Sequence, residues 1–95
     1  MRELTELRAD LDALDTELVR LFEKRMGIAR EVAEYKIAHH MNVLDASREQ
    51  QVLDSRAAKL QNPAWDADVR HLFTEIMAMS RAEQERVLKE AADHA

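Results

Sequence analysis

The chain has 95 residues, a net charge of −5 and no cysteine, and 35% of its residues are charged. That length suits one domain rather than two, so residues 1–95 are expected to form a single unit. The missing cysteines exclude disulfides and thiolate metal sites, and the acidic balance argues against a nucleic-acid or anionic-membrane surface, which needs a basic face.

One Gly and one Pro, among abundant Ala, Leu, Glu, Arg and Lys, predict an all-α fold. The first segment carries Leu4, Leu7, Leu11, Leu14, Leu18, Leu21, then Ile28, Val32 and Tyr35. This alternation of three- and four-residue steps is interrupted once, by Arg25, and predicts a long helix with a coiled-coil-like seam. Thirty-odd helical residues make a rod of roughly 50 Å, whereas a compact globule of this length has a radius of gyration of about 12 Å. Such a rod outgrows its own domain and is expected to pack on another copy of the chain.

A short connection, His39-His40-Met41-Asn42-Val43-Leu44, leads to a second helix capped by Asp45 and running through Val52, Leu53 and Ala57 to about Leu60. Asn62-Pro63 pairs an N-cap with a proline at the first helical position and predicts the start of a third helix. Its stripe is Val69, Leu72, Phe73, Ile76, Met77, Val87 and Leu88, with Trp65 expected to pack in the first turn and Ala91–Ala95 expected to fray. The architecture is therefore long helix, short helix, long helix. There is no apolar stretch of the ~18 residues that suggest a membrane span and no signal-like N-terminus, so the simplest expectation is a cytoplasmic protein.

Function is sought where polar residues interrupt the seams. Arg25 and Lys36 are eleven residues apart, three turns plus about 20°, so they face the same way, with Val32 near that line. On the third helix Ser80 and Gln84 continue the stripe of Phe73, Ile76 and Met77. Taken singly, a seam arginine is more often an ion-paired register device, here with Glu31 or Glu49 as partner, and a helical serine more often bonds its own backbone. Together these residues form an inward cluster with excess positive charge, which is costly to bury unless something neutralises it. An anionic ligand is the other candidate. His39, His40, His71 and His94 lack the one-turn spacing of a zinc site and are expected to be solvated.

The ordered set Leu7-Arg8, Leu11-Asp12-Ala13-Leu14-Asp15, Leu18, Arg25, Val32, Lys36, Asp45-Ala46-Ser47-Arg48-Glu49 and Ser80-Arg81-Ala82-Glu83-Gln84 resembles the all-helical (class II) chorismate mutases, from about Leu4 to Gln84. The resemblance implies a cofactor-free isomerase of the shikimate pathway that converts chorismate to prephenate, and an intertwined homodimer of three-helix chains. It implies that Arg25 and Arg8 bind the two carboxylates of the substrate, with Ser80 assisting. Lys36 and Gln84 would donate to the ether oxygen, Glu49 would accept from the ring hydroxyl, Asp45 and Arg48 would line that end, and Val32 and Met77 would form apolar walls. Arg8 and Arg25 are seventeen residues apart, ~25 Å along a straight helix, too far for one small molecule to touch both. If both are ligands, Arg8 comes from the partner chain.

Three positions depart from the family pattern. Asn42-Val43 stands where relatives often have a proline, a change expected to loosen the turn without touching a ligand. Gly27 lies inside the first helix at a cost of about 1 kcal/mol against Ala, for which close packing is the available reason. Arg81 replaces an apolar residue of some relatives, so substrate affinity is expected to differ. Two other functions fit the same sequence: elimination of pyruvate from isochorismate on the same scaffold, and a non-catalytic helical dimerisation or regulatory module. The inward cluster of Arg25, Lys36, Ser80 and Gln84 is left unexplained by the last of these.

Overall fold

A computed structural model describes residues 1–94. It contains three α-helices and one 3-10 turn: α1 over Leu4–Ala38, α2 over Ala46–Ala57, the turn over Pro63–Trp65, and α3 over Asp66–Asp93. Each boundary has a local cause. Glu6 in the first turn of α1 and Lys36 in its last turn both complement the helix dipole. The chain leaves α1 through His40, a non-glycine residue with φ 55°, and the Met41 amide returns to the Lys36 carbonyl at 2.8 Å. A left-handed residue after a helix satisfies the last free carbonyls, and histidine is among the residues that tolerate it.

Asp45 caps α2 as expected, accepting from the Arg48 amide at 3.0 Å. The helix ends at Ala57, about one turn short of Leu60. Asn62 also acts as a cap, accepting from the Ala64 amide at 3.0 Å, but the turn it opens is 3-10. The α-helix proper begins only at Asp66, where Asp66 and Asp68 supply negative charge to its first turn. Trp65 therefore precedes α3 and is 58% exposed, not packed as expected. At the other end α3 stays helical to Asp93, through residues expected to fray; Ala95 lies outside the described residues.

α3 is the shared member of the fold: α1 and α2 each pack on it, and not on each other. The face that α1 turns toward α3 is not its leucine seam. Its buried residues are Ala29 and Ala33, small side chains that let a neighbouring helix approach closely. Opposite them, α3 buries Met77, Ser80, Gln84 and Val87, and α2 contributes Val52 and Ala57. An ion-pair cluster closes the far edge, with Arg30 bridging Glu83 at 2.6 Å and Glu90 at 2.7 Å.

The N-terminal half of α1 has no partner within the chain. Every residue from Met1 to Leu21 is exposed, including Leu11 at 56%, Leu14 at 61% and Leu18 at 60%. The molecule measures 60 × 26 × 14 Å with a radius of gyration of 17.0 Å, well above the ~12 Å of a compact chain of this length. The overlong rod read from the sequence is thus present. Gly27 has no atom within 4 Å of where a Cβ would stand, so close packing inside the chain does not explain it. Among the described residues, no helix is long and apolar enough to cross a membrane.

Candidate active site

The three helices line a partly open cavity of about 290 Å³. α1 contributes Arg25, Ile28, Ala29, Val32 and Lys36; the 39–45 connection and α2 contribute Val43, Asp45, Arg48, Glu49 and Val52; α3 contributes Met77, Ser80, Arg81 and Gln84. Nine of the ten residues singled out from the sequence therefore surround one space. Arg8 does not: it lies on the bare half of α1 and is exposed.

The inner wall is a chain of hydrogen bonds. The Lys36 ammonium donates to the Val43 carbonyl at 2.6 Å and to Gln84 Oε1 at 3.2 Å. Gln84 Nε2 in turn donates to Ser80 Oγ at 3.3 Å. Among the described residues Ser80 and Gln84 are the buried polar ones, and such groups are tolerated only when satisfied. An ammonium carries three protons and an amide nitrogen two. Lys36 thus keeps one N–H and Gln84 one N–H beyond these internal bonds, both beside the cavity. The Asn42-Val43 turn bears on a candidate ligand after all, because the Val43 carbonyl fixes the Lys36 side chain.

The cations decide between the two readings of the cluster. Among the described residues no carboxylate lies within ion-pair distance of Arg25 or Lys36. Glu31 is exposed on α1 and does not line the cavity. Glu49 does line it, but both its oxygens are taken by Arg81, Oε2 at 2.6 Å. Burial holds the Arg25 guanidinium below its ordinary pKa, and the neighbouring Arg56 and Arg48 charges push the same way. The register-device interpretation, which needs an internal counter-ion for Arg25, has none. Four cations and two carboxylates line the cavity, an excess of two positive charges in a chain whose net charge is −5.

Three features of this site were not read from the sequence. Arg56 lies outside the candidate set, yet its charge bears on Arg25 while its guanidinium carbon stands 6.0 Å from the Phe73 ring centre. Ile28 and Val52 join the apolar walls; both belong to ordinary hydrophobic patterns that carry no mark of a ligand. The Arg81–Glu49 bridge joins α3 to α2, and only the packing of those helices reveals it. The histidines are all exposed. Among the described residues, no group of three or more His, Asp or Glu is placed to hold a metal.

An all-helical domain with a cation-rich, amide-lined cavity between its helices is the class that fold and site define. Residues 7–85 match the family model described as chorismate mutase type II. The chain belongs to this family, whose members are isomerases. Among curated proteins it is similar to the T-protein of Haemophilus influenzae, 32% identical over 69 residues, which are 73% of this chain. The match covers 18% of that relative's length.

Proposed function

We propose that this chain catalyses the rearrangement of chorismate to prephenate on the branch of the shikimate pathway toward Phe and Tyr. The observation that carries the reading is the pair of cations, Arg25 and Lys36, that face the cavity with no internal carboxylate. A dicarboxylate substrate would supply the missing negative charge.

The reaction breaks one C–O bond as one C–C bond forms, without proton transfer and without a nucleophile. Two effects can then lower the barrier. Arg25, assisted by Ser80, fixes one carboxylate, and Arg8 of a second copy fixes the other, which holds the side chain of the substrate over its ring in a reactive geometry. Negative charge grows on the ether oxygen as its bond stretches, and the remaining N–H groups of Lys36 and Gln84 stabilise it. These donors are already oriented by Val43 and Ser80, so little reorganisation is needed when the charge appears. Glu49 accepts from the ring hydroxyl, with Asp45 and Arg48 at the same end, while Val32 and Met77 pack on the ring.

The second copy is part of the proposal. The bare leucines of α1 offer a continuous seam, and burying each is worth about 1.5–3 kcal/mol. A two-fold dimer built on that seam presents each Arg8 to the partner's cavity, giving two sites per dimer.

The test is to incubate the purified chain with chorismate and follow prephenate, with isochorismate and pyruvate as the parallel pair, while its mass in solution is measured. Saturable prephenate formation by a dimer is expected. Pyruvate from isochorismate, without turnover of chorismate, would transfer the site to the lyase reaction. Asp45 and Glu49 together at the hydroxyl end favour the mutase.

A further inference from the structure

Glu49 is ion-paired, whereas two cations that line the same cavity have no carboxylate partner. Glu49 and Arg81 face each other across the cavity wall, one from the first turn of α2 and the other from the middle of α3. The Arg81 guanidinium straddles both carboxylate oxygens, with Oε2 at 2.6 Å. Both side chains are mostly covered, at 35% and 25% exposure, so the pair is less screened than a surface bridge. Arg25, Lys36 and Arg48 border the same cavity, and of these neither Arg25 nor Lys36 has a carboxylate. A free Glu49 would be drawn toward them, since an unpaired cation in a poorly solvated site attracts the nearest flexible anion.

We infer that Arg81 is a positioning residue that sequesters Glu49, keeping the cavity's own carboxylate away from the cations an anionic substrate must reach. The inference rests on the substrate reading above and adds a part to it. A carboxylate has about four lone-pair sites, and one guanidinium nitrogen occupies two of them. Glu49 held in this way keeps acceptor capacity for a hydroxyl while its charge is balanced locally. Without Arg81 the site would fill itself: Glu49 would compete with the substrate carboxylates from inside the protein, at the raised effective concentration of a tethered group, so that more substrate is needed to displace it.

Steady-state kinetics on the full chain tests this, with Arg81→Met, Arg81→Lys, Glu49→Gln and the Arg81→Met/Glu49→Gln double variant. Arg81→Met is expected to raise KM for chorismate about ten-fold while kcat stays within about three-fold, because saturating substrate displaces the internal carboxylate. Arg81→Lys keeps a cation beside Glu49 and is expected to restore KM. Whatever Glu49→Gln itself costs, adding Arg81→Met to it is expected to cost nothing more, since no competing charge remains. An unchanged KM in Arg81→Met overturns the inference, and so does an equal rise in the Glu49→Gln background. A fall in kcat with KM unaltered also overturns it, because that is the signature of a group acting on the reacting atoms. Should Arg81→Met not fold, Arg81→Gln carries the same expectations. A wild-type chain that never turns over chorismate removes the enzymatic reading and this inference with it. Normal wild-type turnover with indifferent variants removes this inference alone.

Discussion

The two halves of α1 have the same helical backbone and opposite surroundings. From Phe22 onward the helix lies on α3, with Ala29 and Ala33 buried and Arg25 and Lys36 turned to a cavity. From Leu4 to Leu21 every residue is exposed, although this half carries six leucines. The contrast shows that apolar patterning alone does not say what a helix packs against. Within the chain the helix uses small side chains, which permit close approach around a polar site; its leucines stay exposed, and in the proposed dimer they would pack on a second copy. A monomer would leave that seam in water, at a cost comparable with the whole stability of a small domain.

The largest effect is expected when the bare half is made unable to associate. Leu11→Lys combined with Leu14→Lys places two charges on the seam 14 to 11 residues before Arg25 and leaves the cavity walls intact. The expected result is a monomer by sedimentation, with kcat/KM lower by about 10³-fold or more, ~4 kcal/mol of transition-state binding. Full activity in a monomer would show that the bare half has no part in the site.

Lys36 tests the packed half. Lys36→Ala removes a donor aimed into the cavity and is expected to lower kcat by about 10²-fold, the scale of losing one oxyanion-stabilising group. The two halves can then be joined in one experiment. Arg8→Ala chains and Lys36→Ala chains, each nearly inactive alone, are mixed, unfolded and refolded together. If Arg8 and Lys36 of one site come from different chains, half of the dimers are mixed and each holds one intact site, so about a quarter of the wild-type rate returns. No recovery would put both residues of a site on one chain, against the ~25 Å that separate Arg8 from Arg25 on a straight helix.

Much of this layout is legible in the sequence, for identifiable reasons. Caps are local chemistry, so Asp45 marked a true helix start, and the 3.6-residue period was enough to aim Arg25, Lys36, Ser80 and Gln84 at a common axis. What escaped depends on distances between helices. That Glu49 would bond Arg81 rather than Arg25, and that Lys36 would reach the Val43 carbonyl, follows from how α2 and the 39–45 turn sit on α3. The intrachain face of α1 was also hidden, because alanines give a weaker signal than the leucine seam beside them. Asn62-Pro63 read as a helix start and became a 3-10 turn, the short element that often leads into an α-helix.

Gly27 lies near the junction between the two halves. It lies in α1 with open space where a side chain would be, so Gly27→Ala should gain helix propensity without a clash inside the chain. A stabilisation of about 0.5–1 kcal/mol is expected in thermal melts. If the partner helix instead crosses there, the added methyl meets it and the variant loses stability at concentrations where the protein is dimeric. The sign of the change therefore reports whether the second chain passes over Gly27.

The smallest effect concerns the edge that fastens α1 to α3. Arg30 bridges Glu83 and Glu90, and its hydrogen bond holds the Glu83 carboxyl below its ordinary pKa of 4.5, with the Arg86 charge contributing. A depressed carboxylate binds protons more weakly in the folded than in the unfolded chain. Its contribution to stability is thus complete above pH 4.5 and disappears as the pH falls through the lower, folded value. Glu83→Gln cannot titrate, so its melting temperature should fall less steeply than that of the wild type below pH 4.5, while lying slightly lower at neutral pH. Leu4–Leu21 offers no such pair to α3. Acid should therefore loosen the packed half of α1 first while leaving the leucine seam unaffected, and parallel melting curves for the two proteins across this range would show that the bridge does not hold the helices together.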